Sequence, residues 1–152
     1  SAPLHDIGKV GVRDDILLKP GPLTPDELLV MKSHAMQGYR ILEQARRSMG
    51  EDNPLLIHAS QITRHHHERW DGGGYPDGLS GDAIPLAARL MAVADVYDAL
   101  RSTRPYKGPF THEDAMRHIC AGRANHFDPD LVDACISMQD TFAEIAVRLA
   151  DD

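Results

Sequence analysis

The sequence predicts an all-α protein, an antiparallel bundle of about five to six helices. Three observations point there: helix-start signals recur along the chain, apolar residues return at spacings of three and four, and no stretch alternates apolar with polar residues over strand length. At 152 residues the chain has close to the commonest single-domain length, so residues 1–152 are expected to form one domain. Its 42% hydrophobic residues are enough for a core and exclude wholesale disorder.

Each element has its own signal. A first helical segment carries His5 and Asp6 near its end, with Lys9 one turn further along. Thr24, Pro25 and Glu27 combine an N-cap, a first-turn proline and a capping-box acid, which starts a helix predicted to run to about Arg47. Its expected buried face is Leu28, Met31, Ala35, Ile41, Leu42 and Ala45, with Gly38 as a weak point near the middle. Asn53 and Pro54 repeat the signal, and Leu55, Ile57, Ala59 and Ile62 carry a helix toward histidines 65–67. Glycines 72, 73, 74, 78 and 81 then mark a loop whose backbone can approach a ligand closely.

Pro85 opens a helix through about Leu100 that is apolar on nearly every side, as a central helix would be. Thr111 can cap a helix through Ala121. Asp128 and Pro129 begin a final helix with a seam at Leu131, Cys135, Met138, Phe142, Ile145 and Leu149, best read as packing against a bundle neighbour.

Sixteen Lys and Arg against 23 Asp and Glu give a formal charge of −7, a field that repels long nucleic acid. No stretch approaches the roughly 20 apolar residues of a membrane helix, and no basic-then-apolar leader opens the chain. The two cysteines, Cys120 and Cys135, form no C-x-x-C pair and support neither a zinc ribbon nor a disulfide framework. A cytoplasmic location without membrane contact is expected. If the substrate is a phosphate ester, local cations or metal must overcome the field at the site.

The nine histidines carry the chemistry. Alone, the His5-Asp6 pair is as well explained by a hydrogen-bonded helix end. His34, His66, His67 and Asp95 change the weighing, because imidazoles and carboxylates without thiolates suit iron, manganese, nickel or zinc. Asp95, in the most apolar helix, needs a partner, and a buried ion pair with Arg64 or Arg89 competes with metal ligation. Ala88, Ala92 and Ala99 leave room beside it. Three adjacent helical side chains diverge by about 100°, so His65 is not expected to join His66 and His67. His58, His112, His118 and His126 are read as surface or structural residues, Trp70 and Tyr75 as packing residues that could also stack on a purine. Two ions bridged by Asp6 could acidify a water enough to attack phosphorus near neutral pH. No G-x-S-x-G elbow supports a serine nucleophile.

The ordered motifs HDIGK at 5–9, HHE at 66–68, DGGGYP at 71–76, AVADVYDAL at 92–100 and RPYK at 104–107 resemble the HD-GYP family, through about FDP at 127–129. The resemblance implies an HD-domain-like helical bundle and a metal-dependent phosphodiesterase that opens cyclic di-GMP to linear pGpG, and often on to GMP, in bacterial signalling. It implies two or three divalent ions, iron or manganese favoured over nickel or zinc, on His5, Asp6, His34, His66, His67 and Asp95. It makes Asp6 and Lys9 catalytic, with Lys9 on the scissile phosphate and Tyr75, Arg104 and Lys107 on the substrate. GGDEF-domain proteins, a fused receiver or sensory domain and a second copy of the chain are the partners it suggests. The chain departs from the family by starting almost at the HD pair, without the family's preceding helices, and by placing Arg13 where a proline is common. Two other readings stand beside the enzyme: a catalytically silent module binding cyclic dinucleotide or a cyclase domain, and a different HD-type nucleotide phosphohydrolase.

Overall fold

Capping chemistry sets where most helices start. The computed structural model describes residues 2–50, 52–102, 108 and 110–150, the side chains of 146, 147, 149 and 150 excepted. Among these residues lie eight α-helices: α1 (Asp14–Leu17), α2 (Pro25–Lys32), α3 (His34–Met49), α4 (Pro54–His65), α5 (Leu86–Arg101), α6 (His112–Ala121), α7 (Pro129–Ser137) and α8 (Gln139–Ala150). Three 3-10 turns, Ala2–Leu4, Ile7–Gly11 and Gly81–Ala83, complete the regular structure, and the only extended pairing among the described residues is an isolated bridge between Arg123 and Phe127. The all-α reading therefore holds.

The predicted caps do their work. Thr24 Oγ1 accepts the Glu27 N–H at 3.3 Å while the Glu27 carboxylate accepts the Thr24 N–H at 2.7 Å, closing a capping box. Asn53 accepts from the Leu55 N–H at 3.1 Å, Thr111 from Asp114 at 3.1 Å and Asp128 from Asp130 at 2.9 Å. Each such cap is worth about 1 kcal/mol.

Two expected helices are broken. The helix predicted from residue 25 to about Arg47 divides at Ser33 into α2 and α3. The carbonyls released there are taken up locally: Ser33 Oγ donates to Val30 at 2.6 Å and the His34 ring to Met31 at 2.7 Å. Helix α2 buries nothing, and Leu28 and Ile41, assigned to the buried face, are exposed. The final helix likewise divides at Met138, so its predicted seam is interrupted: Cys135 is buried, but Met138 and Ile145 are exposed. The first segment is not an α-helix either. His5 and Asp6 occupy the turn between two 3-10 turns, and α1 was not signalled. Helix α5 is not apolar-buried all round: Leu86, Leu90, Ala94 and Asp98 form an exposed stripe at four-residue spacing.

The chain divides into two compact units, Ser1–Met91 and Ala92–Asp152. In the first, Leu42, Leu56 and Ala59 form a core onto which Leu4, Ile7 and Ala45 pack. Gly8 and Gly38 bring the Ile7–Gly11 turn against α3: a Cβ on Gly8 would overlap the His34 carbonyl oxygen and approach Gly38 N to 2.5 Å. In the second, Val93, Tyr97, Met116, Ile119, Phe127 and Val132 make the core, with the Phe142 ring set edge-on to Tyr97 at 5.4 Å. Cys120 and Cys135 are free. No helix among the described residues is long and apolar enough to cross a membrane.

Backbone against backbone leaves Gly8 no room to relax. Gly8→Ala is expected to destabilise the chain by about 1–3 kcal/mol, read as a lower urea midpoint. An unchanged midpoint would show that the turn does not need this approach.

Candidate metal centre

Three helix or turn ends deliver the candidate side chains. His34 opens α3, His66 is the C-cap of α4 with His67 directly after it, and His5 with Asp6 fills the turn before Ile7–Gly11. Two sets of potential ligand atoms result, His34 with His66 and His67, and His5 with Asp6 and His66, each set lying within 4.8 Å of one another. Five of the six side chains picked out from the sequence thus meet, with His66 common to both sets. Ring centroids are 3.9 Å apart for His66 and His67 and 5.1 Å apart for His34 and His67.

Main-chain bonds decide which nitrogen faces the cluster. The Nδ1 atoms of His5, His34 and His66 lie 2.7, 2.7 and 3.0 Å from the carbonyl oxygens of Ala2, Met31 and Ile62. A carbonyl only accepts, so each Nδ1 carries a proton, and in the neutral ring Nε2 keeps the lone pair. These lone pairs point at acceptors or at nothing. His5 Nε2 lies 3.2 Å and His34 Nε2 3.4 Å from the Asp6 carboxylate, and the buried Nε2 atoms of His34 and His66 have no hydrogen-bond partner. Buried acceptors facing acceptors are unfavourable unless a cation lies between them. The donor set, imidazoles oriented by main-chain bonds plus one carboxylate, fits a divalent transition metal.

Electrostatics hold the groups in ligating form. Burial raises the Asp6 carboxyl pKa, but His5 and the hydrogen-bonding ammonium of Lys9 beside it outweigh that and hold the group far below the usual carboxylate range. Burial pushes the His66 imidazole down to about 4, so it is neutral at physiological pH. Lys9 Nζ sits 2.5 Å from Asp6 Oδ2.

The glycine-rich loop is tied to this centre by a residue that sequence reasoning passed over. Glu68, fully buried, accepts the N–H groups of Asp77 at 2.8 Å and Leu79 at 3.1 Å. A buried carboxylate spent on two loop amides sets the loop against α4. Its only sequence signal is its place directly after the paired histidines. Gly74 lies so close that a Cβ there would meet the backbone of Glu68 and Arg69. Tyr75 stacks on His67 at 4.8 Å and 22°, so the predicted substrate residue packs on a candidate ligand. His65 turns away from His66 and His67, as adjacent helical positions must, and faces Asp77 at 3.4 Å and Glu68 at 3.8 Å.

Asp95 belongs to the second unit, half-buried in the wall of a recess of about 310 Å³ shared with Val96, Ala99, Leu100 and Phe110. Of the arginines weighed as its partner, Arg64 donates twice to Asp77 and Arg89 donates to Asp82. Arg104 and Lys107 fall outside the described residues.

Comparison with known proteins gives concordant results. Residues 1–131 match the family described as HD domain. The chain is 54% identical, over its whole length, to a protein of Vibrio cholerae serotype O1 named probable cyclic di-GMP phosphodiesterase, of which it covers 34%. It is 51% identical over 151 residues, 99% of the chain, to another from that organism named cyclic di-GMP phosphodiesterase, covering 30% of it. A third, named 3′3′-cGAMP-specific phosphodiesterase 2, is 42% identical over 99% of the chain, which covers 28% of it. The chain thus spans about a third of the length of these curated relatives.

Two outcomes are expected. His66 takes up its proton near pH 4 when folded against about 6.5 when unfolded, so the unfolded chain gains the proton first and stability is lost as pH falls through that window. Metal-stripped protein should therefore lose about 2 kcal/mol between pH 7.5 and pH 5, a loss that His66→Gln removes in denaturant titrations. Glu68→Gln should cost about 1.5–3 kcal/mol and increase hydrogen exchange at Asp77 and Leu79, whereas unchanged exchange there would refute the loop-holding role.

Proposed function

The chain belongs to the HD domain family, and on that premise we propose that it is a metal-dependent phosphodiesterase that hydrolyses cyclic di-GMP to linear pGpG and on to GMP. The observation that carries this reading is the meeting of main-chain-oriented imidazoles with one ionised carboxylate. Relatives at 54% and 51% identity bearing cyclic di-GMP phosphodiesterase names support the substrate. The relative named for 3′3′-cGAMP favours a second reading of the base pair accepted, a cyclic dinucleotide all the same.

In this reading His5, Asp6, His34, His66 and His67 hold two or three divalent ions, with Asp95 as a sixth ligand. Iron or manganese is favoured, and nickel or zinc are the alternatives. Bound ions would polarise the phosphoryl oxygens and lower the pKa of water. The chain's own groups do the rest. Asp6 stays ionised at all physiological pH values and offers both oxygens. Lys9, placed by its bond to Asp6, presents its ammonium to the scissile phosphate as negative charge builds there. Tyr75, Arg104 and Lys107 contact the substrate, and the last two supply positive charge in a chain that is otherwise acidic. The protein would act in the cytoplasm, with GGDEF-domain proteins, a fused receiver or sensory domain, or a second copy as partners.

The test is turnover of cyclic di-GMP by the manganese- or iron-loaded protein. A chelator should abolish it and added metal restore it. Asp6→Ala should lower kcat by about 100-fold or more while the chain stays folded by circular dichroism. Turnover within a few-fold of the parent would refute the site.

A further inference from the structure

Most cations of the first unit are tied to carboxylates. Arg64 donates to Asp77, Arg69 to Asp71, Arg89 to Asp82, Lys19 to Glu27 and Lys9 to Asp6. Lys32 is not: among the described residues no carboxylate pairs with its ammonium. Its Nζ lies instead 4.9 Å from the centroid of the Tyr75 ring, the same ring that stacks on His67. Lys32 closes α2, two positions before His34, and the His34 ring bonds the carbonyl of Met31 beside it. The ammonium is thus anchored at the edge of the His34, His66 and His67 set, as Lys9 is at the His5, Asp6 and His66 set.

A cation over an aromatic ring gains only about 0.5–1 kcal/mol at a partly exposed site, less than a charge-assisted bond to a phosphate oxygen. An arriving anion would therefore displace the Tyr75 contact. A cyclic dinucleotide carries two phosphodiesters in one ring, each with a negative charge, so a site that cleaves one must accommodate the other within a chain of formal charge −7. We propose that Lys32 is a substrate-binding residue that holds the phosphodiester not being cleaved, and so sets a preference for cyclic dinucleotides over single phosphodiesters. The inference rests on the phosphodiesterase reading above and assigns a specificity residue to the same site.

The experiment compares the metal-loaded parent with Lys32→Met, which keeps an apolar stem on Tyr75, and with Lys32→Arg. Substrates are cyclic di-GMP and bis(p-nitrophenyl) phosphate, which has one phosphodiester. The ratio of kcat/KM for cyclic di-GMP over that for the single ester should fall about tenfold in Lys32→Met, through KM, and return in large part in Lys32→Arg. An unchanged ratio, or a loss of bound metal alongside the fall, overturns the proposal. If the parent cleaves neither ester, the phosphodiesterase reading fails separately, and equilibrium dialysis with cyclic di-GMP still decides Lys32. About tenfold weaker binding by Lys32→Met sustains it, and equal binding overturns it.

Discussion

A hydrogen bond from an imidazole Nδ1 to a carbonyl three or four residues back is the interaction on which the centre depends. It recurs at His5, His34 and His66, each time at the end of a helical turn. Helix ends leave carbonyls with accepting capacity to spare, and a ring that curls back uses it: the Ala2 and Ile62 oxygens accept the His5 and His66 main-chain N–H groups as well as the rings. The same bond fixes the tautomer, so the other nitrogen is left bare and aimed inward. One local bond thus completes the helix and prepares a ligand.

That arrangement is unfavourable by itself, and the surrounding frame has to hold it. Bare Nε2 atoms buried beside an ionised carboxylate lack the hydrogen bonds that buried polar groups normally make. What keeps them together is close packing that tolerates no slack. The Ile7–Gly11 turn rests on α3 through Gly8 and Gly38, and Thr63 donates to the Leu4 carbonyl at 3.1 Å, tying α4 to the first turn. Glu68 and Gly74 press the loop onto the end of α4, which places Tyr75 over His67. The glycines act here through what they omit. A side chain at Gly8 or Gly74 would stand where backbone already is.

Charge is distributed with the same economy. Arginines around the loop are matched to aspartates two to thirteen residues away, which stiffens the loop and leaves little positive potential for a ligand. Lys9, itself bonded to Asp6, and Lys32 differ from these arginines in that each sits beside a set of candidate ligands. A phosphate entering the first unit would meet these two ammonium groups among fixed ion pairs.

The sequence alone determined the helical class, the cap positions at Thr24, Asn53, Thr111 and Asp128, and which imidazoles and acids were worth following. These are local matters: a cap needs only its own turn, and a motif only its own spacing. It did not disclose the breaks at Ser33 and Met138, since apolar periodicity continues through both and only packing and side-chain bonds reveal the stop. Nor could it show Glu68 holding the loop or recognise Gly38 as a contact rather than a weakness. Each of those depends on which groups from distant parts of the chain come within a few ångströms. Tertiary structure decided them because direction and burial, unlike residue type, are not written in spacing.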